Sequence, residues 1–335
     1  MKVIVANESS NKLSYSKNKI IVKDISDNKL METNITSIDA LLIFGSPQIT
    51  TQLIKALAKN SIPVFYYSKS GRYLACIEPA ENDNFEKQLE QFEAITNPFF
   101  SLELARKIIY SKVKLQKQLL EEYDKHKIYG NNRRNIFNNY IKSVYLAQSL
   151  EEIMGYEGRA AKSYFHYLNL LLDNDFYMSG RSKRPPKDPF NSLLSFGYSL
   201  IYSYIIGMLK KYGLSPGAGV IHQARRKHAT LASDIMEEWR VVIIDEVALR
   251  CVRNAYITTD MFEKERHGSI KLSKECRNIF IDKIHERMQE KHRYFSQKDN
   301  SYTAIYAINL QIQSLMRAYA AKNANLYWTI GWFHE

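Results

Sequence analysis

The sequence contains little cysteine, with only Cys76, Cys251 and Cys276 among 335 residues. Their odd number and wide separation fit neither a disulfide framework nor a cysteine-based metal site, and predict reduced thiols in a cytoplasmic protein. Long apolar runs are also missing, since runs such as Val241–Ile244 are far too short to cross a bilayer. Residues 1–6 resemble a strand rather than the apolar core of a signal peptide. No membrane association is therefore expected.

Acidic residues are outnumbered by basic ones. The chain has 47 lysine and arginine residues against 35 aspartate and glutamate residues, which gives a net charge of +12. Residues 1–90 contain eleven basic and ten acidic side chains, so the positive excess belongs almost wholly to residues 91–335. An uneven basic excess favours a surface that binds a polyanion such as nucleic acid, although charge alone is as compatible with a role in solubility.

Short β-branched and apolar runs, separated by polar clusters, predict a small β-rich domain over residues 1–80. A one-faced helix is predicted over residues 48–59, and the two runs that flank residues 68–72 predict a hairpin. This stretch lacks a ligand cluster and a glycine-rich phosphate loop, so we expect a platform for self-association or for a partner. The strands are predicted at 3–5, 19–22, 41–44, 62–67 and 73–77.

Helical patterns replace the strands in the rest of the chain. Residues 81–97 are polar and end at Asn97-Pro98, which predicts a linker. Residues 98–335 are predicted to form a larger, all-helical domain, so the fold class is α+β. The aromatic tail, residues 326–335, is expected to pack on these helices or on a neighbouring molecule. Helices are predicted at 101–124, 148–172, 189–212, 229–255, 273–291 and 301–322, with one more beginning before residue 147.

Three short pieces within residues 155–237 place acidic or imidazole side chains beside small or apolar neighbours. Glu157 lies among glycines and alanines, and His222 follows a glycine-rich turn. Asp234 and Glu237 are spaced i,i+3 on one predicted helix and therefore point the same way. Carboxylate and imidazole ligands without cysteine suit Mg²⁺ or Mn²⁺ better than a zinc site. The pattern favours a divalent-metal centre.

Each of these pieces also has an ordinary structural explanation. A glutamate such as Glu157 is more often paired with an arginine, and a histidine such as His222 is more often part of the core. Asp234 and Glu237 could form a solvated acidic edge, although their apolar neighbours argue against it. Spacing by itself therefore leaves both interpretations open.

Two basic clusters flank the three pieces. Positive charge beside a metal centre neutralises backbone phosphates and makes binding dependent on salt, which favours DNA as the ligand. Any one of these side chains alone is more commonly a solvated surface charge. The candidate DNA contacts are Arg181, Lys183, Arg184 and Lys187 in the first cluster, and Arg225, Arg226 and Lys227 in the second.

The combined motifs resemble the CRISPR-associated spacer-acquisition integrase and endonuclease family, Cas one. The order of the motifs matches throughout, and weaker matches at Gly45-Ser46-Pro47 and Lys271-Leu272-Ser273 extend the resemblance to nearly the whole chain. Taken jointly, the match is highly specific, unlike any single piece. The segments that carry it are Gly155 to Phe165, Arg184 to Tyr198, Gly213 to Pro216, Gly219 to His222 and Leu231 to Arg240.

The resemblance implies the roles of the site residues. Glu157, His222 and Glu237 would bind Mg²⁺ or Mn²⁺, with Asp234 supporting them. The implied reaction joins the 3′-hydroxyl ends of short foreign DNA to the CRISPR repeat by transesterification. The implied assembly is a homodimer, paired through its first domain, that works on double-stranded DNA with a second small adaptation protein, Cas two. Tyr164 and Asn191 are candidate substrate contacts, although Tyr164 suits a core position better.

Three other functions remain open from the sequence. A non-catalytic nucleic-acid-binding subunit would use the same basic surface without needing Glu157 or His222. A metal hydrolase acting on a small phosphoester would need the ligands but not the basic clusters. A transposase of a mobile element from the same family would share the chemistry, although the chain shows no extra DNA-binding domain.

Overall fold

A computed structural model describes residues 3–6, 11–38, 40–68, 73–77, 84–124, 130–182, 185–222, 228–265 and 268–331. The chain forms two compact units. The first consists of Met1–Asn84 with Lys210–Gly213, and the second of Phe85–Leu209 with Leu214–Glu335.

The strands of the first unit are β1 (Val3–Ala6), β2 (Lys12–Ser16), β3 (Lys19–Lys23), β4 (Lys29–Asn34), β5 (Ala40–Phe44), β6 (Gln48–Ile49), β7 (Val64–Tyr67) and β8 (Tyr73–Ile77). They form two four-stranded sheets, in the orders β1-β5-β7-β8 and β4-β3-β2-β6. Strands β1, β5 and β7 pair in parallel, and β8 joins antiparallel to β7. Helix α1 (Thr51–Lys59) contributes Leu53 and Leu57 to the apolar core of this unit.

The predicted β-rich character of this unit is confirmed, whereas strands β2, β4 and the short β6 were missed. In β2 the fully buried residue is Leu13, and in β4 the buried residue is Thr33. Strand β4 buries a single polar residue and β6 has two residues, so neither has the apolar alternation from which strands are predicted. Strand β2 does alternate, with Leu13 and Tyr15 between polar residues, but over five positions only. The predicted hairpin is present as the antiparallel pair β7–β8, and residues 69–72 of its turn lie outside the described residues.

The second unit is mainly helical, as predicted. Its helices are α2 (Phe85–Thr96), α3 (Pro98–Tyr123), α4 (Gly130–Leu146), α5 (Leu150–Asn169), α6 (Pro189–Lys211), α7 (Thr230–Trp239), α8 (Glu246–Arg253), α9 (Lys274–Gln289) and α10 (Ala304–Ala320). Short strand pairs also occur, at Phe262–Lys264 with Ile270–Leu272 and at Lys291–His292 with Tyr302–Thr303. A π-helical turn, Arg240–Asp245, joins α7 to α8 where the sequence pattern predicts one continuous α-helix.

The prediction of a linker over residues 81–97 is wrong for most of its length. Helix α2 occupies Phe85–Thr96 and packs against α10, where it buries Gln91 and Ala94. The Gln91 side chain holds this position, because its Nε2 donates to the Ser215 carbonyl at 3.0 Å and its Oε1 accepts from the Ser215 N–H at 2.8 Å. Because one of the two buried residues of α2 is the polar Gln91, the apolar pattern of this helix is weak in the sequence.

Helix α6 is the one described helix that is long and apolar enough to span a membrane. Of its most apolar stretch, 78% is buried inside the protein. It begins at Pro189 after Asp188, as predicted, and the Asp188 carboxylate accepts from the Asn191 N–H at 2.7 Å. At its end, Gly213 has a φ of 77°, the left-handed conformation that closes helices.

The C-terminal tail packs on the helices of the second unit. The buried Glu238 carboxylate accepts from the Tyr327 hydroxyl at 2.6 Å and from the Ile330 N–H at 3.0 Å. On α3, the Ser111 hydroxyl donates to the Ile330 carbonyl at 2.7 Å. Trp332 and Phe333 lie outside the described residues. The tail therefore packs on α7 through Glu238, the residue next to Glu237.

Replacing Glu238 by glutamine should flatten the pH dependence of stability. Burial raises the pKa of Glu238 from 4.5 to about 7, against the opposing hydrogen bonds from Ser111 and Tyr327. A raised carboxyl pKa adds stability that is complete below pH 4.5 and is lost as pH rises to about 7. That loss, on the order of 3 kcal/mol in wild type, should be absent in Glu238→Gln.

Urea unfolding at pH 5 and pH 8, followed by tryptophan fluorescence, measures this difference, because all three tryptophans lie beyond residue 238. Glu90→Gln, at an exposed position, is the control and should behave as wild type. An equal pH slope in wild type and Glu238→Gln would contradict the prediction.

Candidate metal centre

Three packed helices bring the centre together. Helix α3 packs against both α5 and α7, and so lies between the helix of Glu157 and the helix of Glu237. The start of α5 is fixed by Ser149, whose hydroxyl accepts from the Glu152 N–H at 3.2 Å. Glu157 follows two turns later, and α3 presents Lys112 to it.

The Lys112 ammonium contacts both predicted carboxylate ligands. It forms a hydrogen-bonded ion pair with Glu157 Oε1 and an ion pair with Glu237 Oε2 at 2.6 Å. The Lys112 side chain is 1% exposed, that of Glu237 is 7% exposed, and that of Glu157 is 17% exposed. The carboxylates thus converge on one cation in a largely desolvated position, where charge interactions are stronger than in water.

His222 completes the centre and is oriented by Asp234. Its Nδ1 lies 2.7 Å from Asp234 Oδ1, while its Nε2 points towards Glu237 Oε1 at 3.9 Å. Because a carboxylate accepts hydrogen bonds, Nδ1 donates to Asp234, and in the neutral ring Nε2 then offers its lone pair. The His222 side chain is 33% exposed, so the centre opens to solvent on this side.

Asp234 supports the His222 loop and does not face the two glutamates. Its buried carboxylate accepts the backbone N–H groups of Val220, Ile221 and His222, at 2.6, 3.0 and 3.2 Å. Together with the imidazole bond, these contacts satisfy the charge. The supporting role predicted for Asp234 therefore agrees with its geometry, which makes it an orienting residue.

Positive charge keeps Glu237 ionised. Burial opposes ionisation of Glu237, but the charges of Arg240 and Lys112 outweigh it and lower the pKa of Glu237 to about 2. Arg240 Nη2 lies 2.8 Å from Glu237 Oε2. At His222, burial favours the neutral ring, yet the bond to Asp234 and its charge raise the pKa above the ordinary value.

The donor set fits a hard divalent cation. Two carboxylates and an imidazole Nε2 are the ligand types that Mg²⁺ or Mn²⁺ accepts in proteins. Among the residues that the structure describes, no three histidine, cysteine, aspartate or glutamate side chains are gathered as a formed metal site. In this structure the Lys112 ammonium lies between the Glu157 and Glu237 carboxylates and pairs with both. The centre thus has the donor groups of a cation site, and its carboxylates are paired with the ammonium group of Lys112.

Tyr164 belongs to the core, which argues against the predicted substrate contact. Its side chain is fully buried, and its hydroxyl donates to Asp245 Oδ2 at 2.8 Å. Tyr198 donates to the other oxygen of Asp245 at 2.6 Å, and the Arg240 guanidinium stacks over the Tyr198 ring at 5.3 Å. Burial, followed by the charge of Asp245, raises the pKa of both tyrosines. Both tyrosines act as neutral donors to Asp245, and Tyr198 also supports Arg240.

Asn191 also has a structural role, and its internal contacts argue against the predicted substrate contact as well. Its buried side chain donates to the Gly180 carbonyl at 2.8 Å and to Asp188 at 2.6 Å. Its Oδ1 accepts from Arg181 Nη1 at 2.7 Å. Asn191 therefore ties the start of α6 to the loop that precedes it.

The candidate DNA contacts divide into three groups. Arg181 is committed to internal contacts, since it bonds Asn191 and stacks over Tyr198 at 5.3 Å. Lys187 is exposed and remains a candidate. The others lie outside the described residues: Lys183, Arg184, Arg225, Arg226 and Lys227.

Lys112 and Arg240 are site residues that the sequence reasoning missed. A signal for Lys112 was present, because it occupies the apolar stripe of α3 between Ile108 and Leu115. A lysine at a core position of an amphipathic helix needs an acidic partner. Arg240 is the last residue of one of the motifs that resemble the family. Its i,i+3 spacing from Glu237, at the end of α7, is the signal that could have predicted their pairing.

Comparison with known proteins identifies the class of protein. The family model "CRISPR associated protein Cas1" matches residues 4–286. The chain belongs to this family, as the motifs predicted. A relative from Mycobacterium tuberculosis, named CRISPR-associated endonuclease Cas1, is 31% identical over 95% of this chain and 94% of its own length. One from Thermus thermophilus is 30% identical over 78% of this chain and 77% of its own length.

Solved structures share the fold. A chain of a Cas6-RT-Cas1–Cas2 complex superposes with a TM-score of 0.84 at 28% identity, covering all of this chain and 36% of that longer polypeptide. A Cas1 protein from Thermotoga maritima has a TM-score of 0.82 at 20% identity and is covered over its whole length, with 99% of this chain aligned. The latter likeness concerns the fold alone.

Replacing Gly219 by alanine should distort the His222 loop. A methyl group there would lie 2.5 Å from Asp234 Oδ2, 2.7 Å from the Thr230 carbonyl carbon and 2.8 Å from the Leu231 nitrogen. Two of these atoms are backbone, so the loop must shift, at a cost of about 1–3 kcal/mol. Urea unfolding measures the cost.

Gly217→Ala is the matched control, because a methyl group at Gly217 meets nothing within 4 Å. The control should change stability by less than about 0.5 kcal/mol. Equal effects of the two substitutions would contradict the close packing of Gly219 on Asp234.

Proposed function

We propose that this chain is a divalent-metal-dependent DNA integrase and endonuclease of CRISPR adaptation. The observation that carries the proposal is the convergence of Glu157 and Glu237 on one cation, beside a His222 imidazole whose Nε2 is free of the Asp234 bond. Membership of the Cas1 family supports it, since the relatives described above are called endonucleases.

Glu157, Glu237 and His222 would hold Mg²⁺ or Mn²⁺. The bound ion supplies Lewis acidity towards a phosphodiester and charge for the pentacoordinate transition state. Asp234 keeps His222 in the tautomer that binds, and the Asp245–Tyr198–Arg240 network keeps the Glu237 carboxylate ionised and directed inward. The exposed edge of His222 leaves room for a DNA phosphate on that side.

The proposed reaction is transesterification. The 3′-hydroxyl of a short foreign DNA attacks a phosphodiester of the CRISPR repeat, and the displaced 3′-oxygen leaves with the proton. The basic excess of residues 91–335 supports a DNA substrate, and exposed Lys187 is the described candidate for a phosphate contact.

We further propose a homodimer that works with a small second adaptation protein of the Cas two class. Support comes from a structural neighbour that is itself a chain of a Cas6-RT-Cas1–Cas2 complex. The β-rich first unit, which bears none of the site residues, is the proposed dimerisation surface.

A strand-transfer assay tests the function. The purified chain, with and without the small partner, receives short duplexes with 3′-hydroxyl ends and a repeat-bearing supercoiled plasmid, in Mg²⁺, Mn²⁺ or EDTA. Joining should require the metal, and Glu157→Ala should reduce it by more than about a hundredfold, since even the residues behind metal ligands cost up to that much. Filter binding should show that DNA affinity is retained.

Glu151→Ala is the control, because Glu151 is an exposed residue in the first turn of the same helix. Its joining activity should equal that of wild type. DNA binding without joining or cutting under every condition would establish a binding subunit instead. Turnover of a small phosphoester that is insensitive to salt, without joining, would establish a hydrolase.

A further inference from the structure

Lys112 is a buried cation whose contacts are concentrated on the candidate metal ligands. Its side chain is 1% exposed, and its ammonium contacts Glu157 Oε1 and Glu237 Oε2. Burying an ammonium group is costly unless it is paired with negative charge. The position of Lys112 is therefore stable only while the two carboxylates surround it, and the carboxylates in turn depend on Lys112 for compensation.

Lys112 differs from the other cation at the centre in bridging two helices. Arg240 lies on the same stretch of chain as Glu237, three residues further on, and pairs with Glu237 Oε2 at 2.8 Å. Lys112 reaches from α3 to Glu157 on α5 and to Glu237 on α7. Its ammonium thus lies where the two carboxylates meet, which is also where an ion held by both would lie.

We propose that Lys112 is a positioning residue that acts as a built-in counter-ion, holding Glu157 and Glu237 together without metal and competing with the divalent cation for their oxygens. The inference rests on the proposed function and deepens it. A divalent ion and an ammonium at the same pair of oxygens repel each other strongly in a desolvated site, so the two occupy it in alternation. Metal affinity is then set partly by the free energy needed to displace Lys112.

The substitution Lys112→Met tests this exchange, because methionine keeps much of the volume and removes the charge. In EDTA, two carboxylates lose their shared counter-ion, and the melting temperature should fall by about 5–10 °C. Mn²⁺ should bind about tenfold more tightly or better, since it no longer displaces a charged hydrogen-bond donor. Mn²⁺ binding is read from the electron paramagnetic resonance signal of the free ion, without any assay of activity.

Two further variants distinguish bridging from general charge effects. Lys114→Met makes the same change at an exposed position of α3 and should leave both quantities unchanged. Arg240→Met removes a buried positive charge that pairs with Glu237 and does not span to α5. It should tighten Mn²⁺ binding less than Lys112→Met does. If Mn²⁺ bound equally more tightly to both variants, the effect would be one of net charge, and the proposed competition between Lys112 and the metal would be overturned.

The double variant Lys112→Met/Glu157→Gln guards against a folding defect. It removes one charge of each sign, so its melting temperature in EDTA should recover part of the loss seen in Lys112→Met. A fully additive loss would show that Lys112 acts only through packing, and would overturn the inference. This arm contains no metal and remains informative even if Lys112→Met alone does not fold.

The metal arm separates the inference from the proposed function. Equal Mn²⁺ dissociation constants in wild type and Lys112→Met, with joining activity intact in wild type, would overturn the exchange and leave the integrase standing. Mn²⁺ binding by neither protein would overturn the cation site and the exchange together. Weaker binding by Lys112→Met would show that the lysine assists the metal, contrary to the proposal.

Discussion

The pairing of Lys112 with Glu157 and Glu237 is the interaction on which the helical unit depends. Three helices that are distant in sequence meet at this point, and each contributes a charge that would be unstable there alone. Removing one of the three side chains would leave an uncompensated charge in a desolvated position. The geometry of the centre and the packing of α3, α5 and α7 therefore depend on each other. A functional site built in this way has its carboxylates assembled before any ligand arrives.

Neighbouring polar networks extend that rigidity in two directions. Glu237 faces the centre, whereas Glu238 faces away and receives the C-terminal tail through Tyr327 and Ile330. Asp234 gathers three backbone N–H groups of the His222 loop. Each buried carboxylate of α7 thus organises a different segment, and a short helix fixes the ligands, their loop and the tail together.

The candidate ligands could be chosen from the sequence more readily than the residues that surround them. Glu157, His222 and Glu237 stood out because their motifs are contiguous and their residue types belong to one metal chemistry. Lys112 was not predicted because it is one of several lysines in α3. Its pairing depends on how α3 packs against α5 and α7, which lie much further along the chain. The buried positions of Tyr164 and Asn191 depend on tertiary contacts, with Asp245 and with the loop at Gly180. Short sequence motifs do not contain that information.

The π-helical turn between α7 and α8 has a geometrical effect on the centre. Arg240 and Asp245 are its first and last residues, five positions apart. In an α-helix, side chains at that separation diverge by about 140° around the axis. In a π turn, the i→i+5 bonding brings such residues back to one side. The wider turn therefore lets one chain segment bring the Asp245 carboxylate and the Arg240 guanidinium to the same tyrosine, Tyr198. Deleting one residue there would restore a regular α-helix and separate the two groups.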